Sequence, residues 1–228
     1  MWGILGAMEC EIELLHSKME HKLTTTIAGI DYYQGMLEGK EIILARCGIG
    51  KVNAASCSVT MIQLFKATKI INVGVAGGSF EGAKVYDIIL SDSAMYHDFT
   101  DGILQRNYPN TQIFQADTQL IALAKQSSTG LEKQGIHIAV GRIASGDIFV
   151  GDAKTKQDII NRINPMCIEM EGAAIAHICH IYQVPFLIIR SLSDTADNEA
   201  DFNFDEFAKN AAQHSAKLLL TMLSQSIE

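Results

Sequence analysis

Short β-branched apolar runs alternate with longer amphipathic stretches along most of the chain, and this alternation constrains the fold more than any other feature. Residues 69–75 form a near-continuous apolar run, as expected of a strand buried on both faces. Further strands are expected at 2–7, 41–46, 85–91, 136–144, 166–168 and 185–191. Helices are expected at 9–19, 52–66, 117–125, 154–163, 172–182 and 204–224. Such alternation implies an α/β fold, with a central twisted sheet, mostly parallel or mixed, flanked by helices. Right-handed crossovers then limit its topology. With 228 residues, no internal repeat and no Pro/Gly-rich linker, residues 1–228 are expected to form a single domain. The longest stretch without periodicity is 98–115, and loops of that length are often functional.

Charge and composition exclude several classes of function. Acidic side chains number 26 against 18 basic, a net charge of −8, and no basic stripe marks a nucleic-acid binder. No apolar run is long enough to span a bilayer. The N-terminus is apolar but lacks the basic start of a signal peptide. The five cysteines (Cys10, Cys47, Cys57, Cys167, Cys179) are scattered, with no CxxC pair. Free, mostly buried thiols in a reducing cytoplasm are therefore expected.

Ligands of such sheets bind at the carboxyl ends of strands. Five unusual segments fall there: Cys47-Gly48-Ile49-Gly50-Lys51, Gly74-Val75-Ala76-Gly77-Gly78, Ser145-Gly146-Asp147, Glu169-Met170-Glu171 and Arg190-Ser191-Leu192-Ser193-Asp194. Glu169 and Glu171 bracket a Met where a strand gives way to a helix. Acids favour helix starts, which accounts for one carboxylate but less readily for two. A carboxylate there suits the paired hydroxyls of a ribose, or the positive charge of an oxocarbenium-like transition state. Asp194 reads either as an N-cap acid or as a general acid toward a purine leaving group. Arg190 can orient a carboxylate through a bidentate pair. Glu9, Glu11 and Glu13 read as ordinary acids of a first helix. The glycine segments match neither a Walker loop nor a dinucleotide fingerprint. His177 and His180 lie three apart on a helix without a third ligand at zinc spacing, so no metal is expected.

Taken together, these segments resemble the nucleoside phosphorylase/hydrolase superfamily, and within it the 5′-methylthioadenosine/S-adenosylhomocysteine nucleosidases. The resemblance rests on Gly3-Ile4-Leu5-Gly6-Ala7-Met8-Glu9-Cys10-Glu11, Gly48-Ile49-Gly50-Lys51-Val52, Gly74-Val75-Ala76-Gly77, Ser145-Gly146-Asp147-Ile148-Phe149, Glu169-Met170-Glu171-Gly172-Ala173 and Arg190-Ser191-Leu192-Ser193-Asp194. Tyr96-His97-Asp98 and Phe204-Asp205-Glu206-Phe207 also fit. The resemblance implies hydrolysis of an adenosine N-glycosidic bond without a cofactor. Asp194 would be the general acid, positioned by Ser193 and Arg190, and Glu11 would activate water. Glu171 would take the ribose hydroxyls, beside Met170 and Glu169. Phe149 would stack on adenine and the Val150 backbone would read its edge. Met8, Ile49 and Phe204 would line the ribose and alkylthio pocket, with Val75, Ala76 and Gly77 behind them. A cytoplasmic homodimer is implied, the partner's loop after Tyr96-His97-Asp98 completing the pocket. Two departures stand out. Val75 occupies a position where some relatives carry Ser, and the 99–115 loop matches poorly.

Three rivals remain at this stage. A phosphorylase would use phosphate in place of water, but the glycine segments carry one cation, Lys51, and Glu11 would repel a dianion. An aminodeoxyfutalosine nucleosidase of menaquinone synthesis would cut the same bond beside a different 5′ group. A nucleoside-binding module would keep the pocket without the chemistry, a reading the Glu11, Glu171 and Asp194 set opposes.

Overall fold

The computed structural model describes residues 1–194 and 200–226, without the side chains of 200–206. In chain order the elements are β1 (Trp2–Gly6), α1 (Glu9–Lys18), β2 (Glu20–Ile27), β3 (Ile30–Leu37), β4 (Lys40–Arg46), α2 (Lys51–Gln63), β5 (Lys69–Gly78), β6 (Ile88–Tyr96) and α3 (Ile103–Arg106). They continue with β7 (Phe114–Gln115), α4 (Thr118–Ser127), α5 (Thr129–Glu132), β8 (Ile138–Ser145), α6 (Ala153–Ile163), β9 (Cys167–Glu169), α7 (Gly172–Tyr182), β10 (Phe186–Asp194) and α8 (Ala200–Gln225). Every strand and helix expected from periodicity is present, with ends shifted by a few residues. Periodicity did not reveal the β2–β3 hairpin, because β2 is exposed along nearly its whole length and shows no buried alternation. Its turn at Ala28-Gly29 has positive φ at both residues, the backbone twist that two-residue hairpins favour.

All ten strands join one mixed sheet. β1 lies between β4 and β5, parallel to both, and β10 runs parallel to β5 on its other side. β6 pairs antiparallel with β10, and β8 and β9 follow in parallel. β9 then returns to pair antiparallel with the end of β5, Gly77 facing Ile168. The strands β5, β10, β6, β8 and β9 therefore close into a ring. That closure brings the ends of β5, β9 and β10 together, with Asp194 opposite Gly77.

Helices cover both faces. On one side α8 buries Ala216, Leu218, Leu219, Met222 and Leu223 against strand residues such as Ile4, Leu44, Ile71 and Ile189. On the other, Ala54, Cys57 and Met61 of α2 pack with Ala173–Ala176 and Cys179 of α7. Alanines at that contact let the two helices approach the sheet closely. Among the described residues no helix is long and apolar enough to cross a membrane. All five cysteines are free, four of them buried.

Candidate active site

Where the ring closes, a cavity of about 560 Å³ opens, a size that suits a small organic ligand. It is lined by Met8, Glu11, Ile49, Val75, Ala76, Gly77, Phe149, Val150, Glu169, Met170, Glu171, Ser193 and Asp194. The residues to which the resemblance gives a catalytic or substrate-binding role thus lie on one surface, Arg190 and Phe204 apart. Ala7, Ile148 and Ile168 also line it. The side chain of Phe204 lies outside the described residues, as do those of Asp205 and Glu206.

Glu11 is the third residue of α1 and turns back over the helix start. Its Oε2 accepts from the amides of Ala7 (2.6 Å) and Met8 (2.9 Å), an acid capping unpaired N–H groups at the positive end of the helix. Its Oε1 leaves the helix and accepts from the Val75 amide at 3.0 Å. Gly6 and Gly74 make this possible, since a Cβ at either would collide with Glu11, and one at Gly74 also with Arg190. The residue is 2% exposed. Burial raises its pKa, against the opposing pull of Arg190 and the three amides.

Arg190 lies wholly buried behind the cavity wall as the shared counter-ion of three glutamates. Its Nη2 donates to Glu169 and to Asn72 Oδ1 (2.6 Å) and lies 3.6 Å from Glu171 Oε2. Its Nη1 is 3.8 Å from Glu11 Oε1. Burial works against the guanidinium charge, but Glu169, Glu11 and Glu171 together outweigh it and hold Arg190 protonated. Asn72, which sequence reasoning passed over, is itself fixed by donating to the Leu5 carbonyl at 3.0 Å. A lone polar residue in the apolar 69–75 run was the available signal.

The two acids of Glu169-Met170-Glu171 divide their duties. Glu169 accepts from Ser145 Oγ and Arg190 and from the amides of Glu171 (3.1 Å) and Gly172 (2.8 Å), so it caps α7 and anchors the arginine. Ser145 Oγ in turn accepts from the Ala173 amide at 2.7 Å. Glu171 accepts from the Gly50 amide at 2.9 Å. Burial, and then the charge of Glu169, push the Glu171 carboxyl well above the ordinary range. One guanidinium serves three carboxylates, and Glu11 and Glu171 retain protons more readily than isolated acids do. The Ser193 hydroxyl donates to Asp194 Oδ2 at 2.8 Å, with Asp194 2% exposed.

The remainder of the wall is apolar. Ile49, Ile148 and Phe149 are half exposed at the mouth, whereas Val75 and Ala76 are buried on the floor. Val75 contributes its amide through the contact to Glu11. His177 Nδ1 lies 3.2 Å from the Tyr96 hydroxyl, and the His177 ring stacks on Phe114.

Known proteins share this fold. The family model of the phosphorylase superfamily matches residues 2–224. A 5′-methylthioadenosine/S-adenosylhomocysteine nucleosidase of Halalkalibacterium halodurans is 42% identical, over 98% of this chain and 97% of its own. This chain belongs to that nucleosidase family. Solved structures agree in fold. The nucleosidase of Neisseria meningitidis, crystallised with methylthio-immucillin-A, superposes with a TM-score of 0.93 at 38% identity, covering 99% of both chains. A futalosine hydrolase of Helicobacter pylori reaches 0.88 at 33% identity, covering 99% of this chain and 97% of its own.

Proposed function

We propose that the chain hydrolyses the N-glycosidic bond of 5′-methylthioadenosine and S-adenosylhomocysteine, and also of 5′-deoxyadenosine, releasing adenine and the 5′-substituted ribose. One observation carries the choice of water over phosphate. Among the described residues four buried carboxylates line the cavity, and none of the lining residues is Lys or Arg. A phosphate dianion would meet carboxylates there, with Arg190 already engaged by three of them, whereas the cation that develops on the ribose would be stabilised.

In this reading Asp194, hydrogen-bonded by Ser193, donates a proton to the purine as the bond stretches. The leaving base then departs neutral, which lowers the barrier. Glu171 accepts the ribose hydroxyls, with Met170 packed beside it, and shares the developing positive charge with the ring oxygen. Glu11 takes the proton of the attacking water. Its two oxygens are fixed by three amides, so it is held in place before the reaction begins. Arg190 keeps Glu11, Glu169 and Glu171 in register. Phe149 stacks on adenine, and the Val150 backbone reads its edge. Met8, Ile49 and Phe204 enclose the ribose and the 5′ group. The protein acts as a cytoplasmic homodimer in methionine salvage and in removal of methylation by-products, with the partner's 99–115 segment covering the mouth. Support for that cover comes from Phe99, Ile103 and Tyr108, apolar side chains exposed on this segment.

The test is adenine release from methylthioadenosine, S-adenosylhomocysteine, 5′-deoxyadenosine and aminodeoxyfutalosine, each with and without phosphate. The expected result is phosphate-independent turnover of the first three. A rate proportional to phosphate, with a sugar phosphate as product, would overturn hydrolysis. Preference for aminodeoxyfutalosine would transfer the chain to the futalosine branch, whose Helicobacter pylori member has the same fold.

A further inference from the structure

The turn at 146–150 lies between β8 and α6, outside any regular element, yet it carries Phe149 and Val150. Something other than secondary structure must hold it. One anchor is internal to the site: the Gly146 amide donates to the Glu169 carbonyl at 3.1 Å. The others come from a cluster of charges outside the cavity lining. Asp98 Oδ2 accepts from the Asp147 amide (2.9 Å) and from Lys51 Nζ (2.5 Å). Asp147 Oδ1 accepts from the Lys51 amide at 2.8 Å, and Lys51 Nζ lies 3.5 Å from Asp147 Oδ2. Three separate segments, the start of α2, the end of β6 and the 146–150 turn, are thus tied at one point.

Local packing leaves the turn little freedom. The ring of His97 lies where a Cβ of residue 146 would be, so only glycine fits there. The His97 carbonyl accepts from Arg162 Nη2 at 2.8 Å, which fastens the same segment to α6. On the other side, Gly50 precedes Lys51 and gives its amide to Glu171, so the tie ends one residue from the acid assigned to the ribose. Burial pushes Asp98 toward protonation, but the Lys51 ammonium and the Asp147 amide outweigh it and hold the carboxyl below its usual range. Lys51 and Asp98 expose 22% and 16% of their side chains, so the pair is shielded from water more than a surface ion pair is.

We propose that Lys51, Asp98 and Asp147 are positioning residues that clamp the 146–150 turn against the 48–50 loop, and so set affinity for the purine base without taking part in bond breaking. The proposal rests on the assignment of Phe149 and Val150 to the base. Releasing the clamp lets Phe149 and Val150 drift, which weakens both substrate and free adenine. The acid Asp194 and the base Glu11 stand on β10 and α1 and keep their places.

The experiment uses the full chain with Lys51→Met, Lys51→Arg and Asp98→Asn. Steady-state kinetics on methylthioadenosine are paired with calorimetric titration of adenine alone. Loss of a charge-assisted, partly shielded contact is expected to raise KM and the adenine Kd together by about tenfold, ~1.4 kcal/mol. The kcat should stay within about threefold, as for a change in uniform binding. Lys51→Arg keeps the charge and should return both constants to within about twofold of the parent. Unchanged KM and adenine Kd in the Met and Asn variants overturn the clamp, and so does a fall in kcat at constant KM. If Lys51→Met does not fold, Asp98→Asn, which keeps the shape of the side chain, decides the question. A parent chain that cleaves none of the nucleosides defeats the functional reading instead, and the adenine titrations still judge the clamp.

Discussion

The inner and outer walls of the cavity are built on opposite principles. The inner wall is Glu11, Glu169, Glu171 and Asp194, each at most 7% exposed, with Arg190 behind the three glutamates. Each of these carboxylates accepts at least one hydrogen bond at a fixed distance. The outer wall is Ile49, Ile148 and Phe149, exposed by 54%, 54% and 44%. Arg190 cannot shift without leaving buried glutamates unpaired, at a cost of kilocalories. The outer side chains carry no charge that must stay paired. Bond breaking is therefore assigned to a rigid electrostatic frame, and contact with the base and the 5′ group to a compliant apolar rim.

The sharpest way to break this division is to remove one charge from the frame while keeping its shape. Asp194→Asn and Glu11→Gln should each lose between about a hundred- and ten-thousand-fold in the rate of adenine release, the usual range for a general acid or base. Circular dichroism should show the fold retained. Near-parental turnover in either variant would remove that residue from the mechanism.

The next effect concerns folding more than rate. Arg190→Met strands three buried glutamates without their counter-ion, and breaking such a cluster commonly costs about 3–5 kcal/mol. A denaturant midpoint lowered to that extent at neutral pH is expected, with partial recovery in acid as the glutamates protonate. A midpoint unchanged across that pH range would show that the glutamates do not depend on the arginine.

Much of this was legible in the sequence, and the failures have physical causes. Arrangement at strand ends brought Glu169, Glu171, Arg190 and Asp194 together without any structure, because α/β sheets place ligands there. Glu11 was not distinguishable from Glu9 and Glu13, since an acid at the third position of a helix is also a routine cap. In the structure it caps the helix with one oxygen and serves the site with the other, and only burial separates the two roles. Glu169 lines the cavity, as its place among the ligand contacts requires, and its hydrogen bonds to Ser145, Arg190 and the start of α7 are visible only in the folded chain. Asp98 and Asp147 come from segments 49 residues apart, and Lys51 from a third. Nothing short of the folded chain reveals that they meet. Periodicity likewise passed over the hairpin of β2 and β3, the part of the sheet with least to bury.

A smaller effect tests the charge balance of the frame through pH. The folded-state pKa of Glu171 is raised by burial and by Glu169. Its contribution to stability is thus fully present below the ordinary carboxylate value, about 4.3, and is lost as pH rises through the raised folded value. Burial raises Glu11 in the same direction. Glu171→Gln carries no proton to lose. Between about pH 5 and pH 9, its melting temperature should therefore fall less steeply than that of the parent. Parallel curves for the two proteins would show that Glu171 does not hold an extra proton in the folded state.

The smallest effect belongs to the compliant rim, where Phe149→Leu keeps an apolar side chain but removes the aromatic face. Aromatic stacking on a base is worth about 1–3 kcal/mol by substitution, and partial exposure of Phe149 places the loss near the lower end. KM for methylthioadenosine should rise by roughly tenfold, while kcat changes little because no charge of the frame has moved. Stability should stay within about 0.5 kcal/mol, as for other exposed positions. These three readouts have to agree. A large fall in kcat at unchanged KM would mean that Phe149 acts on the transition state, and the rim would then belong to the catalytic frame it has been contrasted with. A marked loss of stability would mean that the rim is packed against cover in solution, the result expected if the 99–115 segment of a second copy reaches Phe149 itself.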